Sequence, residues 1–241
     1  MRRFFFLAIA ICLVSISPAF AAQFGPAQAQ VKPGQFALGV GVFHYSDRWD
    51  IGSIGSYGSS TTDAEQTQAF IQVELGLFPT WETYVRLGGA NLKVNRALGG
   101  AEFEDEDFEP FATVGLKGIL LRGKYMDVGG FVEGSYFHEY TDETSTTLVV
   151  IDEAAEVNAG LTFQKEIEGA LLYGGPFFHF REGDFWLASK TLGSGSSTYE
   201  ETANLGAFLG IRWVGFDDIV VEAELQLRNN LSAGAALSFL F

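Results

Sequence analysis

The sequence predicts an all-β protein, a transmembrane antiparallel up-and-down β-barrel of ten strands. Three observations predict it. From Gln35 onward, apolar residues recur with period two against Gly, polar or charged residues on the other parity. Short links alternate with long polar ones, as they do between the two ends of a membrane barrel. After residue 21 no run approaches the roughly 18 apolar residues of a spanning helix, whereas barrel strands cross with much shorter alternating segments.

The chain opens with a charged n-region (Arg2, Arg3), an apolar stretch from Phe4 to Val14, and the small-x-small site Ala19-Phe20-Ala21. This reads as a secretory signal over 1–21, cleaved after Ala21 or Ala22. The 241-residue chain has one cysteine, Cys12, which leaves with that signal, so the mature chain has no disulfide or thiol chemistry. Removing the signal takes away Arg2 and Arg3 and no acid, moving the net charge from −15 to −17. Such a field repels nucleic acid, so no nucleic-acid partner is expected.

Residues 22–34 read as a loose periplasmic lead-in, and 35–241 as the barrel. The expected strands are 35–45, 66–78, 82–94, 108–120, 125–138, 154–165, 170–181, 202–213, 219–228 and 231–241. Their apolar parity faces lipid and their polar parity lines the lumen. Pro176 lacks a ladder donor inside the seventh strand, and a bulge there would accommodate it. The links 46–65, 95–107, 139–153 and 182–201 are long and polar and read as external loops, with Ser/Gly/Thr-rich tips at 52–62 and 191–198. The other links are short and periplasmic. Only the turn at Asn229-Asn230 breaks the rule, being short on the outer side. An even strand count puts both termini in the periplasm. Eight strands is the rival count.

The last strand reads LSAGAALSFLF, with Ala235, Leu237, Phe239 and Phe241 on one face. With the signal and the loop asymmetry, it makes the chain resemble the superfamily of small outer-membrane β-barrel proteins of Gram-negative bacteria. The resemblance implies location in the cell outer membrane, contact with its lipid and lipopolysaccharide, and delivery by the barrel assembly machinery, for which Phe239 and Phe241 would be the signal. Ten strands is also the size of the omptin proteases. No Asp-Ala-Asp-like or Asp-Asp motif accompanies His44, His138 or His179, so no catalytic residue carries over.

The expected lumen is charged. Arg86, Lys117, Arg181, Arg212 and Arg228 face Glu74, Asp127, Glu133, Glu156, Glu222 and Glu224. A narrow lumen does not bury such groups unpaired, so they are expected to interlock as a plug, with Phe43, Phe70, Phe111, Phe131 and Phe208 obstructing the bore further. The alternative is a narrow ion or small-solute channel tuned by the same charges. A third reading, an outer-membrane lipid or peptide hydrolase, lacks a nucleophile beside a base. No cofactor motif is found. The acidic run Glu102, Glu104, Asp105, Glu106 and Asp107 reads as a solvated face, or as a site where hard divalent cations bind through carboxylate oxygens.

Overall fold

Alternation along the chain becomes twelve β-strands and no helix in the computed structural model, which describes residues 23–54, 58–95, 103–143, 147–189, 193–215 and 218–241. The expected signal lies outside them. The strands are β1 (Phe36–Ile51), β2 (Ser60–Phe78), β3 (Trp81–Val94), β4 (Phe103–Leu121), β5 (Asp127–Phe137), β6 (Tyr140–Glu143), β7 (Thr147–Ile167), β8 (Ala170–Ser189), β9 (Gly193–Glu201), β10 (Leu205–Val214), β11 (Ile219–Leu227) and β12 (Leu231–Leu240). Antiparallel pairing runs β1-β2-β3-β4-β5-β7-β8-β10-β11-β12 and returns to β1, a closed ring of ten. The closing ladder joins Ala37↔Leu240 through His44↔Ala233, and Phe36 stacks on Phe241 with ring centroids 5.2 Å apart. β6 continues β5 after a break at His138 and Glu139, and β9 precedes β10 across 202–204.

The strands are longer than a bilayer requires. β7 has 21 residues, about 70 Å of extended chain at roughly 3.3 Å per residue. A tilted spanning strand needs only about 9–11 residues. Much of what the sequence suggested were loops, 46–65, 95–107, 139–153 and 182–201, is therefore strand. The reason lies in parity. Along β1 the outward residues run Phe36, Leu38, Val40, Val42, then His44, Ser46, Arg48, Asp50. The inward ones run Ala37, Gly39, Gly41, then Phe43, Tyr45, Asp47, Trp49, Ile51. The period never changes, but the chemistry of the two faces exchanges. Near the short turns the barrel is apolar outside, as lipid demands. Beyond them it is polar outside and apolar within, as water demands.

The wall also changes its strand number. The β11–β12 hairpin turns at 228–230 and stops, and β9 passes over it to pair directly with β1 at Trp49↔Glu201, Asp50↔Glu200 and Ile51↔Tyr199. The far section is thus walled by eight strands, β1, β2, β3, β4, β6, β7, β8 and β9. Between β4 and β6 the join is made by side chains: Asp105 accepts from Thr141 N at 2.9 Å, and Asp142 from Glu104 N at 3.2 Å. The short outer turn at Asn229-Asn230 marks this reduction from ten strands to eight. Trp49 and Tyr199 stack across the new seam, 4.2 Å between centroids. Inside the section Trp49, Ile51, Leu92, Phe103, Tyr140, Ile151, Phe185 and Tyr199 form one continuous buried apolar cluster.

No bulge forms at Pro176. The β7–β8 ladder lapses opposite Gly175 and Pro176 and resumes in the same register, so the missing donor falls on the β7 side, while β10 still pairs Ala207 with Pro176 and Phe208 with Gly175.

Candidate functional site

The near half of the lumen is filled by the segment expected to hang loose in the periplasm. Residues 23–31 run inside the barrel. Phe24 is fully buried, stacked on Phe131 at 4.3 Å and edge-on to Phe177 at 4.8 Å and Phe208 at 5.4 Å. Gly25, at φ +68°, turns the chain so that three successive N–H groups meet one carboxylate. Gln23 N and Phe24 N each donate to Glu224 Oε1 at 3.2 Å, and Gly25 N donates to Oε2 at 3.0 Å. Farther along, Gln28 N donates to Gln164 Oε1 at 3.0 Å and Gln30 N to Glu82 Oε2 at 2.6 Å. The wall gives way for this segment at Gly76, where a Cβ would lie 2.2 Å from the Lys32 carbonyl oxygen. A parallel bridge pairs Pro33 with Gly76 there.

Around the plug the lumen charges interlock. Arg86 bonds Glu133 at 3.2 Å and also holds the Gln23 carbonyl. Lys117 sits 3.3 Å from Glu82 and 3.9 Å from Glu74, and donates to the Phe24 carbonyl at 3.4 Å. Arg212 pairs with Glu222 and donates to the Gln28 carbonyl at 2.8 Å. Deeper, Glu156 accepts from Arg228 at 2.8 Å, lies 3.7 Å from Arg181, and accepts from Asn158 Nδ2 at 2.7 Å. Arg181 lies over the rings of Phe137 and Trp49, 4.5 and 5.1 Å from their centroids. It joins the charged half of the lumen to the aromatic half.

Ten of the eleven expected lumen charges are buried in this network. Asp127 is not: it sits at the near rim and accepts from Gly123 N at 3.1 Å, closing the β4–β5 turn instead. Three buried acids lie outside the expected lumen set: Glu82 opens the expected strand 82–94, and Asp47 and Glu201 fall in the expected loops 46–65 and 182–201. All three have the inward parity of their strands. With them and the inward Asp105, the described lumen holds nine buried acids (Asp47, Glu74, Glu82, Asp105, Glu133, Glu156, Glu201, Glu222, Glu224) against five bases. The near balance of six against five is therefore replaced by a clear acidic excess.

Where ten strands become eight, Asp47, His179 and Glu201 converge, all buried, each offering a ligand atom within 4.8 Å of the others. Glu201 bonds His179 Nδ1, and its other oxygen accepts from Tyr45 Oη and from Arg228 Nη1 at 3.2 Å. Asp47 Oδ1 accepts from Asn229 Nδ2 at 2.6 Å. Above this level, burial raises the pKa of the Tyr140 and Tyr199 hydroxyls, so both remain neutral in the dry section.

Among the described residues, the acidic run Glu104, Asp105 and Asp107 is not gathered into one site. Glu104 points outward and pairs with Lys93 at 3.1 Å. Asp105 points inward and accepts from the backbone of Thr141 and Asp107, and Asp107 is exposed. Glu102 and the side chain of Glu106 lie outside what is described. Strand alternation sends neighbouring carboxylates to opposite faces. His44 bonds Thr67 Oγ1 at 3.2 Å on the outer wall, away from His179. Phe239 and Phe241 face outward at the near rim, 42% and 60% exposed.

The fold has counterparts among solved structures at very low sequence identity. The translocator domain of the autotransporter NalP from Neisseria meningitidis matches with TM-score 0.52 at 8% identity, covering 89% of this chain and 91% of that one. The transport unit of the autotransporter AIDA-I from Escherichia coli gives 0.47 at 11% identity, over 87% and 90% of the two chains. The outer membrane protease OmpT from Escherichia coli gives 0.46 at 10% identity, over 92% and 99%. No family model and no curated protein matches the sequence. The likeness to the NalP domain bears on fold alone, and the structure itself is a closed ring of ten antiparallel strands with an apolar belt outside and a charged lumen within.

Proposed function

We propose that the protein is a closed barrel that carries a rigid, acid-sided platform above the outer membrane, with a structural or surface-interaction role rather than one as a passage. The observation that carries this reading is the filling of the lumen along its length: the 23–31 segment, then the interlocked charges, then the dry aromatic section. Each layer alone would narrow a pore, and three in series oppose steady ion flow. The platform is the eight-stranded section, whose outward Asp50, Asp63, Glu65, Glu104, Glu182 and Asp184 are charged on a wall that needs no lipid. Lipopolysaccharide phosphates bridged by divalent cations, or a cationic partner surface, suit such a wall. The outward Phe239 and Phe241 suit recognition by the barrel assembly machinery.

Planar-bilayer recording tests the closed reading. Purified protein is expected to give no steady conductance, and deleting residues 23–34 is expected to give none either, because the aromatic section remains. Steady single-channel currents from the intact chain would favour the narrow-channel alternative and sink the proposal.

A further inference from the structure

We propose that Asp47, His179 and Glu201 bind one divalent transition-metal ion, of the Zn²⁺ type, that staples β1, β8 and β9 together where the ten-stranded barrel narrows to eight.

The donor set is the first argument. One imidazole nitrogen and two carboxylate oxygens lie within 4.8 Å of one another. A tetrahedral ion with ligand distances of about 2.0–2.1 Å holds its ligands about 3.3 Å apart, so small side-chain movements complete the site. A nitrogen ligand argues against Ca²⁺ or Mg²⁺, which take oxygen. Imidazole with carboxylate suits Zn²⁺ and its neighbours.

The second argument is orientation. On each carboxylate one oxygen is tethered: Asp47 Oδ1 by Asn229 and by Arg48 N at 2.7 Å, Glu201 Oε1 by Tyr45 and Arg228. The other oxygen is left for the cluster. Asp47 Oδ2 has no hydrogen-bond partner, although the side chain is fully buried. Buried polar atoms without partners are rare and call for an explanation. Outer partners that fix the ligands are also what metal sites possess.

Charge is the third. The described lumen buries nine acids against five bases. Buried charges are paired or coordinate metals, and a dication offsets half of that excess. The nearest guanidinium, Arg228, is committed to Glu156 and to the tethered oxygen of Glu201, so it does not compete for the inner oxygens.

The location suggests the use. Asp47 lies on β1, His179 on β8, and Glu201 is the last residue of β9 before the chain steps to β10. An ion there pins the crossing strand to both its neighbours at the point where the ladder changes partners.

The test uses the full chain. Folded protein extracted from membranes in detergent is desalted, and its metal is measured by elemental mass spectrometry. A second sample is unfolded in chelator, refolded with Zn²⁺ or Co²⁺ alone, and stripped of excess. About one equivalent retained per chain is expected after refolding, with visible Co²⁺ absorption bands of a nitrogen/oxygen site. Asp47→Asn and His179→Gln, which keep size, are expected to lower retention at least about tenfold, the scale on which even outer partners of metal sites act. Wild-type protein that is folded by heat-modifiable gel mobility yet holds no metal in either sample overturns the proposal, leaving His179 hydrogen-bonded to Glu201 beside Asp47. Undiminished retention in both variants overturns it too, by placing the ion elsewhere.

Discussion

Phe24 stacks on Phe131 with ring centroids 4.3 Å apart, and this contact anchors the N-terminal segment in the lumen. The two rings come from opposite kinds of structure, one from a strandless segment and one from the barrel wall. Phe177 and Phe208 complete the socket. The polar contacts of residues 23–31 close around it, so the anchor should decide whether the segment stays.

Phe24→Ala should therefore release the plug without opening the ring. Truncating a buried Phe costs about 3–5 kcal/mol, which multiplies transient undocking by roughly two to four orders of magnitude. Protease cleavage within 23–34 should speed up accordingly, while the heat-modifiable shift of the barrel survives. Cleavage at the wild-type rate would show that the hydrogen bonds to Glu224 and Glu82 hold the segment without the ring.

Glu156 is the hub of the deeper network, and its loss should be severe. It serves Arg228 and approaches Arg181, and all three side chains are buried. Glu156→Ala leaves two guanidinium groups without their shared acid, a situation worth about 3–5 kcal/mol of destabilisation. Asp63→Asn breaks the Arg48–Asp63 pair, whose two side chains are half exposed. There the effect should stay below about 1 kcal/mol. The unfolding midpoint in denaturant, followed by gel mobility, checks both. Equal effects would remove the distinction between lumen and outer wall.

How far the sequence discloses this molecule depends on range. The ten strands and their parity are local signals, since period two survives in any environment. The far section is strand where its polar outer face suggests loop, because a polar exterior and a loop share the same composition. Yet Tyr45, Trp49 and Ile51 keep the inward parity of β1, and Phe185 and Leu187 that of β8. Reading which parity is apolar, and where that parity exchanges, would have found the section. The plug is different. Gln23, Phe24 and Gly25 are held by Glu224, some two hundred residues away. No local pattern announces an acceptor supplied by a distant strand. The Asp47–His179–Glu201 cluster is hidden for the same reason, because it requires β9 to cross onto β1.

Alkaline pH should loosen the far section first. Burial raises the Tyr140 and Tyr199 pKa values above the ordinary phenol value of about 10. A phenol raised in the folded state contributes stability that is fully present below the unfolded pKa. That stability is lost as pH rises from there through the folded value. Phenolate absorbance should lag for these two tyrosines and then appear together with loss of far-section structure. Tyr140→Phe with Tyr199→Phe should postpone that loss to higher pH. An unchanged alkaline transition in the double variant would assign it to other groups.

The exchange of faces along each strand predicts a sharp boundary on the outer wall. Asp63 and Val73 both point outward on β2, ten positions apart on the same parity. Asp63 belongs to the section whose exterior is polar and whose interior is dry, and Val73 to the lipid belt. In a chain with Cys12 replaced by Ser, Asp63→Cys should react with a membrane-impermeant maleimide on intact cells. Val73→Cys should react only after detergent extraction. Because strands are rigid and paired on both sides, reactivity should change within about one or two residue pairs along β2 rather than fade gradually. Phe70 lies between them but faces inward, so Phe70→Cys should stay unreactive in both conditions while the lumen is filled. Labelling of Val73→Cys on intact cells would mean that the lipid belt has been placed on the wrong stretch of the wall.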